Sequence, residues 1–139
     1  ADVVWLDALV TNPDRTAVNP NLLVWHGRPW LIDHGAALYI HHTWRDPDDH
    51  ARGRFERIRD HVLLPYAGSL SDADGRNAGR IDRSLLDDLV ASIPDLWLPD
   101  APLGGDAAAQ RTAYVRYLER RLEAPRSFAE EAERVRPAA

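Results

Sequence analysis

The chain has 139 residues, a formal net charge of −5 and no cysteine, and all 17 of its Lys-plus-Arg positions are arginine. The missing cysteines exclude a disulfide framework and a thiolate metal centre. The acidic balance argues against a broad nucleic-acid surface, which needs net positive charge on one face.

Val3, Leu6, Leu9 and Val10 recur at helical spacing and predict a first helix that ends before Pro13. Asn12 to Asn21 holds two prolines and three asparagines and reads as a loop of constrained turns. Leu22–Trp25 and Arg28–Asp33 read as two strands joined by His26-Gly27, with Gly27 supplying a positive φ and Pro29 placing the second strand on an edge. After Gly35 the pattern turns helical. Phe55, Ile58 and Val62 mark a helix ended by Pro65, and the polar stretch Gly68 to Gly79 reads as an exposed loop. Leu85, Leu86, Leu89, Val90 and Ile93 form an amphipathic stripe, with Ser84 and Asp87 spaced as a capping box and Pro94 as the stop. Pro99 to Gly105 reads as another loop. Tyr114, Tyr117, Leu118 and Leu122 stripe a long helix, and a shorter charged helix starts near Ser127. The expected fold class is mainly α (α+β), a single domain over residues 1–139 with one small β-hairpin near its start.

Hydrophobic residues at 45% and charged residues at 28% give the balance of a folded, soluble domain. No apolar run approaches the roughly 18 residues of a membrane span, and no signal peptide is visible, so a cytoplasmic location is the expectation. With neither methionine nor lysine, the chain reads as the C-terminal piece of a longer protein, and any chemistry needing a lysine must draw it from elsewhere.

The hairpin gathers the acidic residues that look remote in sequence. A two-residue turn sets Trp25 opposite Arg28, Asn21 opposite Ile32 and Pro20 opposite Asp33. Asn19 then neighbours Asp33, since opposed residues lie about 5 Å apart. The loop before the first strand carries Asp14 to the same end. Two carboxylates and a carboxamide are hard oxygen ligands, suited to Mg²⁺ and unsuited to zinc. Asp14 also stands five residues before Asn19, and Asp33-His34-Gly35 follows a strand, as the catalytic and metal-binding motifs of kinases are arranged.

Asn12-Pro13-Asp14-Arg15, then Asn19-Pro20-Asn21-Leu22-Leu23, then Leu31-Ile32-Asp33-His34-Gly35 resembles the HipA-like kinase family. More distantly, the pattern is similar to the phosphatidylinositol 3- and 4-kinases, over about residues 3 to 42. The resemblance implies the kinase-like C-terminal lobe of an ATP- and Mg²⁺-dependent enzyme acting on a protein Ser or Thr hydroxyl. It implies Asp14 as the catalytic aspartate, Asn19 and Asp33 as magnesium ligands, and Arg15, Asn21, His34 and Gly35 on the nucleotide side. It also implies an N-terminal lobe, absent here, that carries the phosphate-covering loop and its lysine, so this piece alone is expected to be inactive. His34 stands where the family has phenylalanine.

Blander readings stand beside these. Asp14 and Asn19 suit a hydrogen-bonded turn, Asn21 a turn, and Asp33 a cap on the following helix. Arg15 suits a phosphate contact or a structural ion pair. Asp7 suits an ordinary polar helix position or a hydrogen bond to the catalytic loop. His34, His41, His42 and His50 match no standard zinc spacing. Trp5, Trp25, Trp30 and Trp44 suit core or lobe packing, and Arg52 to Arg59 a solvated face or a partner surface. The alternative functions are a non-catalytic nucleotide- or partner-binding pseudokinase module and a metal-dependent phosphoesterase using Asp14, Asp33 and the histidines.

Overall fold

The computed structural model describes residues 1–98 and 105–137. Among them are six α-helices and one largely exposed antiparallel hairpin: α1 (Asp2–Leu9), β1 (Leu22–Trp25), β2 (Arg28–Leu31), α2 (Pro47–Arg52), α3 (Leu70–Asn77), α4 (Arg83–Ala91), α5 (Ala107–Leu122) and α6 (Ser127–Val135). The mainly helical expectation holds, and no described helix is long and apolar enough to cross a membrane. The expected loop from Pro99 lies outside the described residues up to Gly105.

The hairpin follows its turn chemistry. Trp25 pairs with Arg28 and Leu22 with Leu31, and Ile32 N–H donates to the Asn21 carbonyl at 3.1 Å, which is the anticipated register. His26 and Gly27 both have positive φ, 50° and 73°, the requirement of a type I′ turn. Bonded and non-bonded pairs alternate along an antiparallel ladder. The Asn21–Ile32 bond therefore puts Val24–Pro29 in a non-bonded pair, and the missing proline N–H costs no ladder bond.

Two apolar clusters form the core. Val4, Trp5, Ala8 and Leu9 of α1 pack with Ile58, Leu64, Leu70 and Ala73 and with Phe128, Ala129 and Ala132 of α6. Ile40, Trp44 and Ala51 pack with Leu86 and Val90 of α4, Leu98, and Tyr114, Val115 and Tyr117 of α5. Ile81 and Leu122 touch both clusters and make the apolar interior continuous. Arg121 sits at this junction, 2% exposed. Its guanidinium donates to the carbonyls of Ala8 and Leu9 at the end of α1 (2.7 and 2.6 Å) and of Ala51 in α2 (3.1 Å), and it lies over the Phe128 ring. A cation suits the partly negative C-terminal end of a helix, whose last carbonyls have no partner in the helix itself. Asp74 ties α3 to its neighbours, accepting from Trp5 Nε1 at 2.8 Å and from Arg126 at 2.7 to 2.9 Å.

Several local expectations need correction. The helix expected through Phe55, Ile58 and Val62 is instead two short 3₁₀ turns, Glu56–Asp60 and Leu64–Tyr66. His61 between them is extended (φ −67°, ψ 126°), because Thr16 bridges to it and Val62 N–H donates to the Arg15 carbonyl. A continuous helix could not present those groups. The stretch expected as a loop from Gly68 contains α3, capped by Ser69 Oγ on Asp72 N–H at 3.0 Å. Glu133 of α6 accepts from Leu70 and Ser71 N–H, and Leu70 and Ala73 are buried. α4 is capped by Asp82, whose carboxylate accepts from Leu85 N–H at 2.9 Å, two residues ahead of the expected Ser84-Asp87 box. Its stripe is narrower than expected: Leu86 and Val90 are buried, whereas Leu85 and Leu89 are exposed. Trp5 and Trp44 are core residues as expected, but Trp25 and Trp30 are more than half exposed on the hairpin.

Candidate functional site

The site is the loop between α1 and β1 together with the open end of the hairpin. Its anchor is Asp7. Val4, Trp5, Asp7, Ala8 and Leu9 are the buried residues of α1, so the Asp7 carboxylate is carried into the interior with no access to water. Burial pushes its pKa up, but hydrogen bonds from His61, Arg15 and Asn12 outweigh that and hold it below the ordinary 3.8. Arg15 Nε donates to Oδ2 at 2.5 Å and Asn12 Nδ2 to Oδ1 at 3.0 Å. His61 Nδ1 accepts from Leu63 N–H at 3.1 Å, so Nε2 carries the hydrogen that meets Asp7 Oδ2 at 2.9 Å.

This buried network fixes the loop that holds Asp14. Asn12 Oδ1 accepts from Asp14 N–H at 3.1 Å, and Arg15 Nη1 donates to the Asn21 carbonyl. Asn19 N–H donates to Thr16 Oγ1 while Thr16 N–H donates to the Asn19 carbonyl, closing the tip of the loop. Two carboxamides then converge on one atom: Asn19 Nδ2 and Asn21 Nδ2 donate to Asp14 Oδ2 at 3.0 and 3.1 Å. Asp14 is half-buried. Among the described residues its Oδ1 has no hydrogen-bond partner, so one carboxylate oxygen is fixed by the protein and the other is open to accept a proton.

The hairpin delivers the second half of the site. Asp33 follows β2, is exposed, and has φ 50°. Its carboxylate makes no hydrogen bond among the described residues and caps no helix, since the next helical element is the 3₁₀ turn Tyr39–His42, preceded by Leu38. The left-handed residue after β2 is Asp33 and not Gly35, a conformation aspartate tolerates better than most. A methyl group on Gly35 would meet only Asp33 Oδ1 at 3.5 Å, an ordinary contact. His34 Nδ1 lies 3.4 Å from Arg15 Nη2 and must accept from it, because a guanidinium only donates.

The sequence-derived candidates thus fall into groups. Asp14, Asn19 and Asn21 are joined by direct hydrogen bonds, Arg15 touches Asn21 and His34, and Asp33 sits beside Gly35. Of the two openings for Arg15, the geometry supports the ion pair: the residue is 1% exposed, which leaves no face for a phosphate. Asn21 is a left-handed turn residue (φ 46°) that also orients Asp14. Asp7 is no ordinary polar helix position. The available signal was an acid on the apolar stripe of α1. His61, 54 residues away, carried no sequence signal.

Among the described residues no group of three His, Asp or Glu side chains is placed to hold a metal ion. The donor set nevertheless fits magnesium, which keeps most of its water and takes one or two carboxylates. The Asp33 carboxylate is free of protein donors among the described residues, and the Asn19 amide nitrogen is committed to Asp14, which leaves Asn19 Oδ1 without a hydrogen-bond partner among them. A scan of protein-family models, a search of curated proteins and a search of solved structures each returned no match.

Proposed function

We propose that this chain is the catalytic lobe of a HipA-like kinase that transfers phosphate from magnesium-ATP to a protein Ser or Thr hydroxyl. The observation that carries this reading is the Asp14 carboxylate, one oxygen gripped by Asn19 and Asn21 and the other open, on a loop fastened to the core through Arg15 and Asp7. Phosphoryl transfer asks little covalent chemistry of the protein; it needs an aspartate held to receive or orient the hydroxyl proton. Asp14 does this with Oδ1, while the amides keep the carboxylate from rotating away. Asp33 and Asn19 Oδ1 would hold the magnesium, which would neutralise charge on the phosphates. Arg15 acts through position alone.

The hairpin supports a second lobe. Opposed residues share a face of a sheet, so Leu23, Trp25, Trp30 and Ile32 form one apolar surface, each of them 44 to 59% exposed. A covering lobe would enclose the nucleotide between itself and Asp33, and it would bring the lysine that this chain lacks.

The test uses the longest natural polypeptide that contains these residues. Magnesium-ATP at about 100 times its dissociation constant should stabilise it by about 2.7 kcal/mol, the Asp33→Asn variant should not respond, and Asp14→Asn should bind but not transfer. Binding without transfer in the wild type would convert the protein to a nucleotide-binding module. No response to magnesium-ATP would overturn the reading.

A further inference from the structure

Away from the loop site, the 3₁₀ turn Tyr39–His42 presents two adjacent histidines. His41 Nε2 and His42 Nε2 lie 3.2 Å apart. Two imidazole nitrogens bound to one tetrahedral ion at about 2.0–2.1 Å stand about 3.3 Å apart, so the spacing is that of a chelate. Both rings are held. His41 Nδ1 is 3.2 Å from Tyr114 Oη on α5, and the Tyr39 ring packs edge-on against His42 with centroids 4.7 Å apart. His42 is exposed and His41 half-buried, so an ion reaches the pair from solvent.

We propose that His41 and His42 chelate a borderline divalent transition metal of the zinc, copper or nickel class. The hydrogen count supports a site with two settings. Two bare Nε2 lone pairs facing each other at this distance repel, so in the metal-free protein one Nε2 carries a hydrogen and donates to the other. In the bound form both rings are neutral, both carry hydrogen on Nδ1, and both Nε2 lone pairs go to the ion. The change is a tautomer shift with no net loss of protons. The Nδ1 hydrogen of His41 then has an acceptor in place, Tyr114 Oη, the outer-shell contact that commonly orients a metal-bound imidazole. Water fills the remaining positions. Imidazole nitrogen prefers these metals over magnesium, so this site and the oxygen site at Asp33 select different ions.

The experiment is isothermal titration of the untagged chain, freed of metal by chelator, with zinc chloride and separately with nickel chloride. One ion per chain is expected, with magnesium in excess failing to displace it. His41→Ala and His42→Ala should each abolish binding, and Tyr114→Phe should weaken it by about tenfold while leaving the stoichiometry unchanged. His26→Ala and His50→Ala, histidines outside the turn, should bind as the wild type does. Circular dichroism of each variant separates loss of the ligand from loss of the fold, and His42→Ala removes only an exposed side chain. Zinc bound equally by the wild type and by both His→Ala variants, or not bound by the wild type, would overturn the proposal.

Discussion

The Asp7 carboxylate and the His61 imidazole meet at 2.9 Å across 54 residues of chain, and neither side chain is more than 2% exposed. With Arg15 they form a three-way contact in which the acid is the only acceptor of charge. Replacing Asp7 by Asn keeps the shape and leaves the Arg15 guanidinium buried without a counter-charge, a change that costs about 3–5 kcal/mol where it has been isolated. Domains of this size are stable by only about 5–15 kcal/mol. Asp7→Asn should therefore lower the urea midpoint steeply, and His61→Gln should lower it less. Equal, small losses for both would remove the network from its anchoring role.

Acidification should act in two stages. His50 and His41 have pKa values below the ordinary 6.5, through burial first and then through Arg121 and His42 respectively. Groups depressed in the folded state contribute stability above the unfolded value and lose it as pH falls through the folded value. A first decline should therefore begin below about pH 6.5. Asp7 and Asp74 are also depressed, because hydrogen bonds from their partners outweigh the upward push of burial. Their share is intact above 3.8 and lost below it. Urea midpoints from pH 8 to pH 3 should show both declines, and Asp7→Asn should flatten the second.

Arg121 should not be replaceable by lysine. Burial drives its pKa down, yet it serves carbonyls on two helices at once, a fork that a single ammonium cannot reproduce. Arg121→Lys should cost about 2 kcal/mol or more, on the scale of a buried polar group left without its partners. A thermal melt of the variant matching the wild type would contradict this.

Gly27→Ala should weaken the hairpin locally. A methyl group meets nothing within 4 Å there, so the cost comes from the backbone at φ 73°, about 1 kcal/mol. Amide exchange should quicken in Leu22–Trp25 and Arg28–Leu31 and stay unchanged in α5.

What the sequence made legible follows from how local each interaction is. The hairpin register could be read because a two-residue turn fixes it, and the nearness of Asp14 to Asn19 because both lie in one short loop; that Asn21, read as a turn, also donates to Asp14, while Asp33 makes no hydrogen bond to either among the described residues, depends on side-chain directions that spacing does not give. α3 was hidden because Gly75 and five polar side chains mask the apolar contact made by Leu70 and Ala73, with Glu133 reaching from the far end of the chain to cap it. The turns around His61 were hidden for a similar reason: helical spacing at Phe55 and Ile58 is outvoted by a partner in α1. Arg15 was legible as either of two things, and only burial separated them.

The hairpin has no interior strand. Both of its backbones run along a sheet margin, and each offers N–H and C=O groups on its outer side to any extended segment that comes alongside. Combined with its bulky apolar side chains, that makes the ribbon adhesive in a way the helices are not. At high concentration the chain should gather into edge-paired clusters, slowed by the mutual repulsion of its −5 charge and released from that restraint as salt is added.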